Sequence, residues 1–365
     1  MARKSTFAGV IALALTGVAT VGLAGTAQAA ESVRRAVYTS TNSPVGNEVV
    51  VFERHDDGTL TEKTRVWTHG LGTGAGLGSQ GAVTLADSGR RLLVVNAGSD
   101  EVSLFKVTDA GLSFVGKAES GGDKPISVTV RGHLAYVVNA GGAANVSGFW
   151  ISDDAITPLS GSTEALNVAG PAQVQFTPAG NALVVTGKAT NSIDVFNLEA
   201  SGRPQAPVTS PSAGPTPFGF DFDLAGHLLV SEAAGGAAGA SSASSYKVEA
   251  AGALSTISGV VANGQGAACW LVTGKSGKFA YVTNTGSGTI SAYGISADGS
   301  LSVVSAAAAT SGGNPTDEAV SRNGRYLYVS NNNLHSINAY RTAADGSLTA
   351  IPGADLSTTV GLAAS

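Results

Sequence analysis

The sequence predicts an all-β fold, a seven-bladed β-propeller with four-stranded antiparallel blades, on the basis of three observations. First, a short apolar strand that ends in a small or polar residue occurs seven times, with end positions spaced by 54, 43, 48, 45, 52 and 47 residues. Second, glycine accounts for 49 of 365 residues, as expected for short strands joined by tight turns. Third, no helical periodicity is found outside the N-terminal segment. A repeat length in the forties is typical of propeller blades.

The seven repeated strands end at equivalent positions, which set the register for the rest of the sequence. These positions are Asn42, Asn96, Asn139, Gly187, Glu232, Asn284 and Asn331. In blade six, strands are expected at residues 268–272, 279–283, 289–293 and 301–304. Its turn at Asp298-Gly299 is repeated in blade seven as Asp345-Gly346. Asp-Gly between apolar alternations is a hairpin signal because both residues tolerate a positive φ.

The two ends of the chain are expected to complete one blade together. Seven copies of the second strand are present, but only six full copies of the first strand precede them. The propeller domain, residues 33–362, therefore opens on a second strand at Val37, and residues 358–362 are expected to supply the missing first strand. Such closure removes the unpaired edges of an open sheet. The tract at residues 233–245, rich in Ala, Gly and Ser, is expected to be a flexible loop.

Residues 1–29 have the features of a secretory signal peptide. Arg3 and Lys4 precede an apolar run at residues 7–23, and residues 27–29, Ala-Gln-Ala, form a small-residue cleavage site. We therefore expect a secreted, extracellular protein. No second long apolar stretch follows, so no membrane span is expected after processing.

Charge and cysteine content exclude several classes of protein. Removal of Arg3 and Lys4, each carrying one positive charge, takes the formal net charge from −5 to −7. No basic block is present, so no nucleic-acid partner is expected. Cys269 is the only cysteine, which excludes an internal disulfide, and it is expected to be a small buried residue beside Trp270. The protein is expected to be a monomer.

The topology of a propeller indicates which residues share a face. The first strand of each blade lines the central channel, and the loops that enter it lie on the same face as the loops that follow the second strand. Ligand-binding residues are therefore expected where first strands begin and second strands end. The second-strand ends contribute Asn96, Asn139, Lys188, Glu232, Asn284 and Asn331. The matching first-strand positions, together with a nearby loop, contribute Gln173, Phe218, Trp270, Asp317 and His335.

These residues also have structural interpretations. An Asn at a strand end often bonds its own backbone and fixes the turn. Glu232 departs from the Asn pattern, which fits either a chemical role or an ion pair with Lys188. Phe218 and Trp270 fit either the core or a stacking platform for a ring-shaped ligand. Three further polar residues are expected nearby, namely Gln80, Lys124 and Glu318.

Motifs for cofactors and metals are misplaced or absent in the sequence. Residues 76–81 match the glycine spacing of a dinucleotide-binding motif, but a strand is predicted where that motif requires a helix. The five histidines lack zinc-ligand spacing, and the acidic residues lack calcium-loop spacing. No cofactor and no metal are expected.

The repeated phrase resembles that of a known family. Residues 324–331 read G-R-Y-L-Y-V-S-N, and residues 298–301 and 345–348 both read D-G-S-L. Over residues 33–362 the chain resembles the seven-bladed β-propeller lactonase family, which includes bacterial 6-phosphogluconolactonase and fungal carboxymuconate-lactonising enzymes. Residues 281–284, Y-V-T-N, are similar to the repeat of extracellular surface-layer propellers, and the chain resembles an exported bacterial branch of the family. The resemblance implies a propeller fold and lactone hydrolysis.

One departure argues against the best-known reaction of this family. Phosphogluconolactonase-like members typically carry G-P-R-H where a first strand opens, whereas residues 170–173 of this chain read G-P-A-Q. The Arg and His that would hold a phosphorylated sugar are therefore missing, and Lys binds phosphate without the forked geometry of Arg. Activity on 6-phosphogluconolactone is disfavoured.

Two functions fit the sequence. A secreted lactonase would hydrolyse a non-phosphorylated sugar or organic-acid lactone, with Glu232 as the base, or Asp317 if Glu232 pairs with Lys188. His335 is a weaker candidate. In this hypothesis the Asn residues and Lys188 stabilise the oxyanion, and the two aromatic residues stack on the lactone ring. The hypothesis also predicts that exchange of Glu232 for Gln abolishes turnover without unfolding the protein. The alternative is a non-catalytic extracellular propeller that binds a glycan, a cell-wall component or a protein.

Overall fold

A computed structural model describes residues 1–2, 35–356 and 359–365 of the chain. In these residues the strands form seven antiparallel sheets, and the first strands of neighbouring sheets contact one another around a complete circle. The predicted seven-bladed β-propeller is therefore confirmed. Two short 3-10 turns, Asp87–Gly89 and Ala234–Gly236, are the helical elements of the described residues. The predicted apolar run and cleavage site lie outside the described residues.

The first four blades are described in chain order. Blade one contains β1–β3, at Ala36–Ser40, Glu48–Arg54 and Leu60–Trp67. Blade two contains β4–β7, at Val83–Ala86, Arg91–Asn96, Glu101–Thr108 and Gly111–Glu119. Blade three contains β8–β12, at Pro125–Arg131, Leu134–Asn139, Asn145–Ile151, Ile156–Pro158 and Glu164–Ala165. Blade four contains β13–β16, at Pro171–Phe176, Ala182–Gly187, Ser192–Asn197 and Val208–Pro211.

The last three blades continue the pattern, and the final strand returns to blade one. Blade five contains β17–β20, at Pro217–Phe222, Leu228–Glu232, Ser242–Val248 and Leu254–Ala262. Blade six contains β21–β24, at Ala268–Thr273, Phe279–Asn284, Thr289–Ile295 and Leu301–Thr310. Blade seven contains β25–β28, at Pro315–Val320, Tyr326–Asn331, Ser336–Thr342 and Leu348–Asp355. The last strand, β29, is Val360–Ala364.

Blade one closes the propeller with strands from both ends of the chain. Strand β29 is the innermost strand of this blade and pairs antiparallel with β1. The Thr39 hydroxyl donates to the Gly361 carbonyl oxygen at 2.6 Å, which ties the two ends together. The predicted composite blade is therefore confirmed, although its inner strand begins and ends two residues later than the expected range of 358–362.

The repeated apolar phrase fills the space between the blades. Strand β5, for example, is buried along its whole length. Tyr136 and Tyr328 occupy equivalent places in the phrase, and both rings are fully buried. Their hydroxyls donate across blade boundaries to the carbonyl oxygens of Gly202, at 2.6 Å, and Gly58, at 2.8 Å. Each ring thus buries apolar surface while its hydroxyl keeps a hydrogen bond.

Part of the tract expected to be a flexible loop in blade five is a strand. Strand β19 begins at Ser242, within the expected loop of residues 233–245. The Ser242 and Ser244 hydroxyls both donate to the Glu232 carboxylate on the adjacent strand. These bonds fix the start of the strand, so that prediction was wrong for residues 242–245. In the described part of the chain, no helix is long and apolar enough to cross a membrane.

Candidate functional site

The face on which the sequence placed the ligand site is closed by residues 77–81, here called the plug. The plug belongs to the segment between β3 and β4 and crosses the end of the channel. The Ser79 hydroxyl donates to the Ile126 carbonyl oxygen of blade three at 2.8 Å. The Gln80 amide donates to the Leu271 carbonyl oxygen of blade six at 2.8 Å and accepts from the Leu271 N–H at 3.1 Å. The plug thus connects distant blades across the channel axis.

The predicted aromatic platform lies beneath this plug. Trp270 is 6% exposed and Phe218 is 7% exposed, and their ring centroids are 4.9 Å apart. The Trp270 ring N–H donates to the Ser79 carbonyl oxygen at 2.9 Å. The Lys188 ammonium lies 4.7 Å from the centre of the Phe218 ring and donates to the Gly78 carbonyl oxygen. Burial lowers the pKa of Lys188. Trp270 and Lys188 therefore hold the plug in place.

Glu232 is enclosed within blade five. Its side chain has no exposed surface. One carboxylate oxygen accepts from the Gly214 N–H at 2.9 Å and from the Ser244 hydroxyl at 2.6 Å, and the other accepts from the Ser242 hydroxyl. A Cβ at Gly214 would lie 2.3 Å from the carboxylate, so only glycine permits this approach. Glu232 therefore joins the loop before β17 to β19, and Lys188 is not its partner.

The Asn residues at the strand ends are buried and bonded within their own surroundings. Asn96, Asn139, Asn284 and Asn331 are at most 1% exposed. The Asn139 amide, for instance, donates to the Ser120 carbonyl oxygen at 3.0 Å and to Asn145 at 2.9 Å. The Asn331 amide donates to the Gly312 carbonyl oxygen at 2.7 Å. Each amide links a second strand to the loop that precedes its blade, so these residues have a structural role, although their bonds reach a neighbouring loop instead of their own turn.

His335, the third predicted catalytic residue, lies in the loop after β26. It is exposed and has a φ of +50°. Its carbonyl oxygen accepts from the Leu356 N–H at 2.6 Å, which anchors the loop.

A cavity of about 490 Å³ occupies the central channel on the other side of the plug. It begins at Gln80 and reaches the turns that follow the first strands, where Arg131, Pro178 and Lys275 are exposed. The cavity therefore opens on the face opposite to the expected one. Most of its polar lining comes from first strands and includes Thr84, Thr129, Gln173, Gln175, Asp221, Thr273, Asp317 and Glu318. Of the predicted site residues, Asp317 and Gln173 are brought together here.

Two neighbouring carboxyl groups lie in the wall of this cavity. Asp317 is 3% exposed and accepts from the Leu362 N–H at 3.1 Å, on the side of blade one. Glu318 is 2% exposed, and in the described part of the chain neither of its oxygens has a partner in hydrogen-bond geometry. The two carboxyls therefore share one strand and one cavity but have different surroundings.

Burial is the main cause of the raised pKa values of both carboxyls. It raises the pKa of Asp317 to about 7, although backbone N–H groups, including that of Leu362, act in the opposite direction. Burial, and then the adjacent Asp317 charge, raise the pKa of Glu318 well above its usual range. Burial therefore favours the protonated form of both carboxyls, and a carboxyl whose pKa is about 7 can take up a proton at neutral pH.

The two buried carboxyls make the free energy of unfolding depend on pH. The unfolded chain releases both protons near pH 4, whereas burial in the folded chain shifts both releases to higher pH, to about pH 7 for Asp317. The folded state thus binds more protons between about pH 5 and 7, and its stability falls as pH rises, by up to about 1.4 kcal/mol per pH unit for each group. Exchange of Glu318 for Gln, which resembles the protonated acid, is expected to remove one of these slopes. Urea unfolding at pH 5, 6 and 7 measures the change.

The control for this experiment is Glu249→Gln, because Glu249 is a partly exposed carboxylate in a surface ion pair with Lys247. The slope of its free energy of unfolding against pH, between pH 5 and 7, is expected to equal that of the unaltered protein. Identical slopes for Glu318→Gln and the unaltered protein would contradict a protonated Glu318.

The remaining polar groups of the cavity were missed by the sequence analysis. Asp221 accepts from the Thr273 N–H at 2.9 Å, from the Thr273 hydroxyl at 2.6 Å and from the Gln175 amide at 3.1 Å. The sequence contains a pattern that could have predicted them, because side chains two positions apart on a strand point to the same side of the sheet. Gln175 lies two positions after Gln173 and therefore points to the same side of its strand.

The described residues provide neither a reactive thiol nor a metal site. Cys269 is buried, and burial raises the pKa of its thiol to about 11, so the thiol stays protonated at neutral pH. Among residues 35–356 and 359–365, no three His, Cys, Asp or Glu side chains are grouped so that they could hold a metal ion.

The fold and the channel define the class of protein: a closed seven-bladed propeller with a polar cavity on its axis. The sequence model of the family described as "Lactonase, 7-bladed beta-propeller" matches residues 37–151 and 233–352, more than half of the chain. The chain therefore belongs to the seven-bladed β-propeller lactonase family, as its resemblance implied. A comparison with curated protein sequences gave no significant match.

Solved structures share the fold at low sequence identity. A protein from Lactobacillus plantarum aligns with a TM-score of 0.72 at 18% identity, over 90% of this chain and 98% of its own. A periplasmic gluconolactonase from Pseudomonas aeruginosa aligns with a TM-score of 0.70 at 18% identity, over the same shares of the two chains. A protein of unknown function from Desulfotomaculum acetoxidans aligns with a TM-score of 0.70 at 14% identity, over 91% and 98%.

Proposed function

We propose that the protein hydrolyses a non-phosphorylated sugar or organic-acid lactone in its central channel. The observation that carries this proposal is the pair of buried carboxyls, Asp317 and Glu318, in a polar cavity, with the pKa of Asp317 raised to about 7. A general base is most effective when its pKa lies near the working pH. Membership of the lactonase family supports lactone opening as the reaction.

Ionised Asp317 acts as the base in the proposed reaction. It takes a proton from a water molecule, and the water oxygen forms a bond to the lactone carbonyl carbon. Hydroxyl and amide groups of the cavity lining donate hydrogen bonds to the oxygen that gains negative charge. The ring C–O bond then breaks, the ring oxygen takes up the proton held by Asp317, which regenerates the base, and the product is a hydroxy acid. Asp317 replaces Glu232 as the proposed base because Glu232 has no exposed surface.

The lining of the cavity favours an uncharged, hydroxyl-bearing substrate. Thr84, Thr129 and Gln175 supply hydroxyl and amide groups that can bond to sugar hydroxyls. The charged side chains deep in the cavity are carboxyls, whereas its cations, Arg131 and Lys275, are at the open end. A phosphorylated sugar would therefore place its anion next to acidic groups, so we retain the non-phosphorylated substrate.

A panel of lactones tests this proposal. The full chain is incubated at pH 7 with glucono-1,5-lactone, γ-butyrolactone and 6-phosphogluconolactone, and acid release is followed against the spontaneous rate. We expect turnover of at least one uncharged lactone above that rate. No turnover, together with saturable binding on a glycan array, would instead select a non-catalytic binding propeller, whose sugar would use the same hydroxyl and amide groups.

The cellular setting of the reaction is part of the proposal and rests on the sequence. The charged and apolar pattern of residues 1–29 supports export. We accordingly propose a secreted monomer that meets its lactone outside the cytoplasm.

A further inference from the structure

A second concave site lies between blades six and seven, on the face where the channel opens. It is a groove of about 260 Å³ formed by the turn between β21 and β22 and by two turns of blade seven. Its main lining residues are Lys275, Lys278, Phe279, Tyr281, Arg325 and Thr342. We call it the basic groove because three of these six side chains are cationic.

The three cations form no salt bridge in the described part of the chain. In residues 35–356 and 359–365, none of Lys275, Lys278 and Arg325 forms an ion pair with a carboxylate, although several other lysines and arginines do. The Arg325 guanidinium lies 5.8 Å from the centre of the Tyr326 ring, a contact that leaves its charge in place. Asp345, in a neighbouring turn, accepts from the Ser347 N–H and hydroxyl, and its negative charge acts on the Tyr281 hydroxyl. Three positive charges around one nearby acidic side chain leave this groove with an excess of positive charge, in a chain of net charge −5.

The walls of the groove are fixed by packing. Gly324 has a φ of +70°, and a Cβ there would lie 2.9 Å from the Cβ of Lys275, so the turns of the two blades are in contact. The Thr342 hydroxyl donates to the Gly324 carbonyl oxygen at 2.6 Å, which holds the blade-seven turn. Tyr281 is 2% exposed and forms a buried part of the lining. The backbone positions of the cations are therefore set before any ligand arrives.

We propose that the basic groove binds an oxyanion of the phosphate or sulfate type, either as a free ion or as an ester. Arg presents a planar fork of N–H groups that matches such anions, and Lys adds point charges. Phe279 offers an apolar surface beside the cations for the organic part of an ester. The site is distinct from the channel carboxyls and does not depend on the lactonase proposal. Lys275 lines both the groove and the channel mouth, so the two sites adjoin.

The test is a ³¹P NMR titration of the full chain with inorganic phosphate and, separately, with phenyl phosphate. We expect saturable binding that weakens as salt is added. Lys278→Gln and Arg325→Gln are each expected to weaken it about tenfold, the loss of one charge-assisted contact. The matched control is Lys247→Gln, which removes an exposed lysine from blade five and should leave binding unchanged. Lys278 and Arg325 are chosen because they do not line the channel.

Each outcome of the titration bears on the proposal. Tighter binding of phenyl phosphate than of phosphate would identify an ester as the natural ligand class, and equal binding would identify the free ion. No saturable binding, or equal weakening by all three substitutions, would overturn the site. Lactone turnover, measured in parallel, is expected to persist in Lys278→Gln and Arg325→Gln, so failure of the lactonase proposal would be seen separately.

Discussion

Exchange of Asp317 for Asn is expected to lower lactone turnover by about 100-fold or more, the range typical for loss of a general base. The Asn side chain retains a carbonyl oxygen that can accept from the Leu362 N–H, so the first strands of blades seven and one stay joined. Because the pKa of Asp317 is about 7, the rate of the unaltered protein should rise with pH through neutrality and then level off. Asp317→Asn should lose both the rate and this pH dependence.

The matched control for this substitution is Asp194→Asn. Asp194 is also a fully buried carboxylate that accepts backbone N–H bonds, from Asn167 at 2.8 Å and Val168 at 3.1 Å, but it lies in blade four away from the channel. Its exchange is expected to alter stability and leave turnover per folded molecule unchanged. Undiminished turnover in folded Asp317→Asn would remove Asp317 from the reaction. An equal loss in Asp194→Asn would mean that the effect reflects damage to the fold.

The propeller could be predicted because its signals are local and repeated. Each Asp-Gly turn and each apolar phrase specifies its own hairpin, and seven copies confirm one another. The composite blade could be predicted by counting strands, because the sequence contains seven second strands but only six full first strands ahead of them. The exact position of β29 could not be derived, because it depends on side-chain contacts such as that between Thr39 and Gly361.

The site was harder to predict because one non-repeated segment decides which face is open. The sequence shows residues 76–81 as a misplaced dinucleotide motif and predicts Gln80 near the site, but it does not show that Ser79 and Gln80 cross the channel and bond to blades three and six. No periodicity reveals where such an insertion lies in space. Residue spacing places Gln173 and Asp317 in the channel, where the structure also has them. Spacing alone does not show whether a side chain faces the cavity or, like that of Glu232, is buried within its own blade.

Exchange of Glu232 for Ala is expected to lower the free energy of unfolding by about 3 kcal/mol or more, because it leaves buried hydrogen-bond donors without their acceptor and opens a cavity. Those donors are the Gly214 N–H and the Ser242 and Ser244 hydroxyls. Glu232→Gln keeps the shape and one acceptor oxygen, so its cost should be about 1 kcal/mol. Urea unfolding at pH 7 measures both values. Glu249 lies in the same blade but is partly exposed, so Glu249→Ala should stay within about 0.5 kcal/mol of the unaltered protein.

Turnover of Glu232→Gln separates the structural role of Glu232 from the catalytic role that the repeat pattern suggested. A carboxylate that only joins the loop before β17 to β19 can be replaced by an amide with turnover retained in the folded protein. A base cannot, because an amide does not accept a proton at neutral pH. Retained turnover with reduced stability would therefore assign Glu232 to the architecture of blade five. Lost turnover with unchanged stability would return it to the reaction and would require blade five to open during catalysis, since no surface of Glu232 is accessible in the closed propeller.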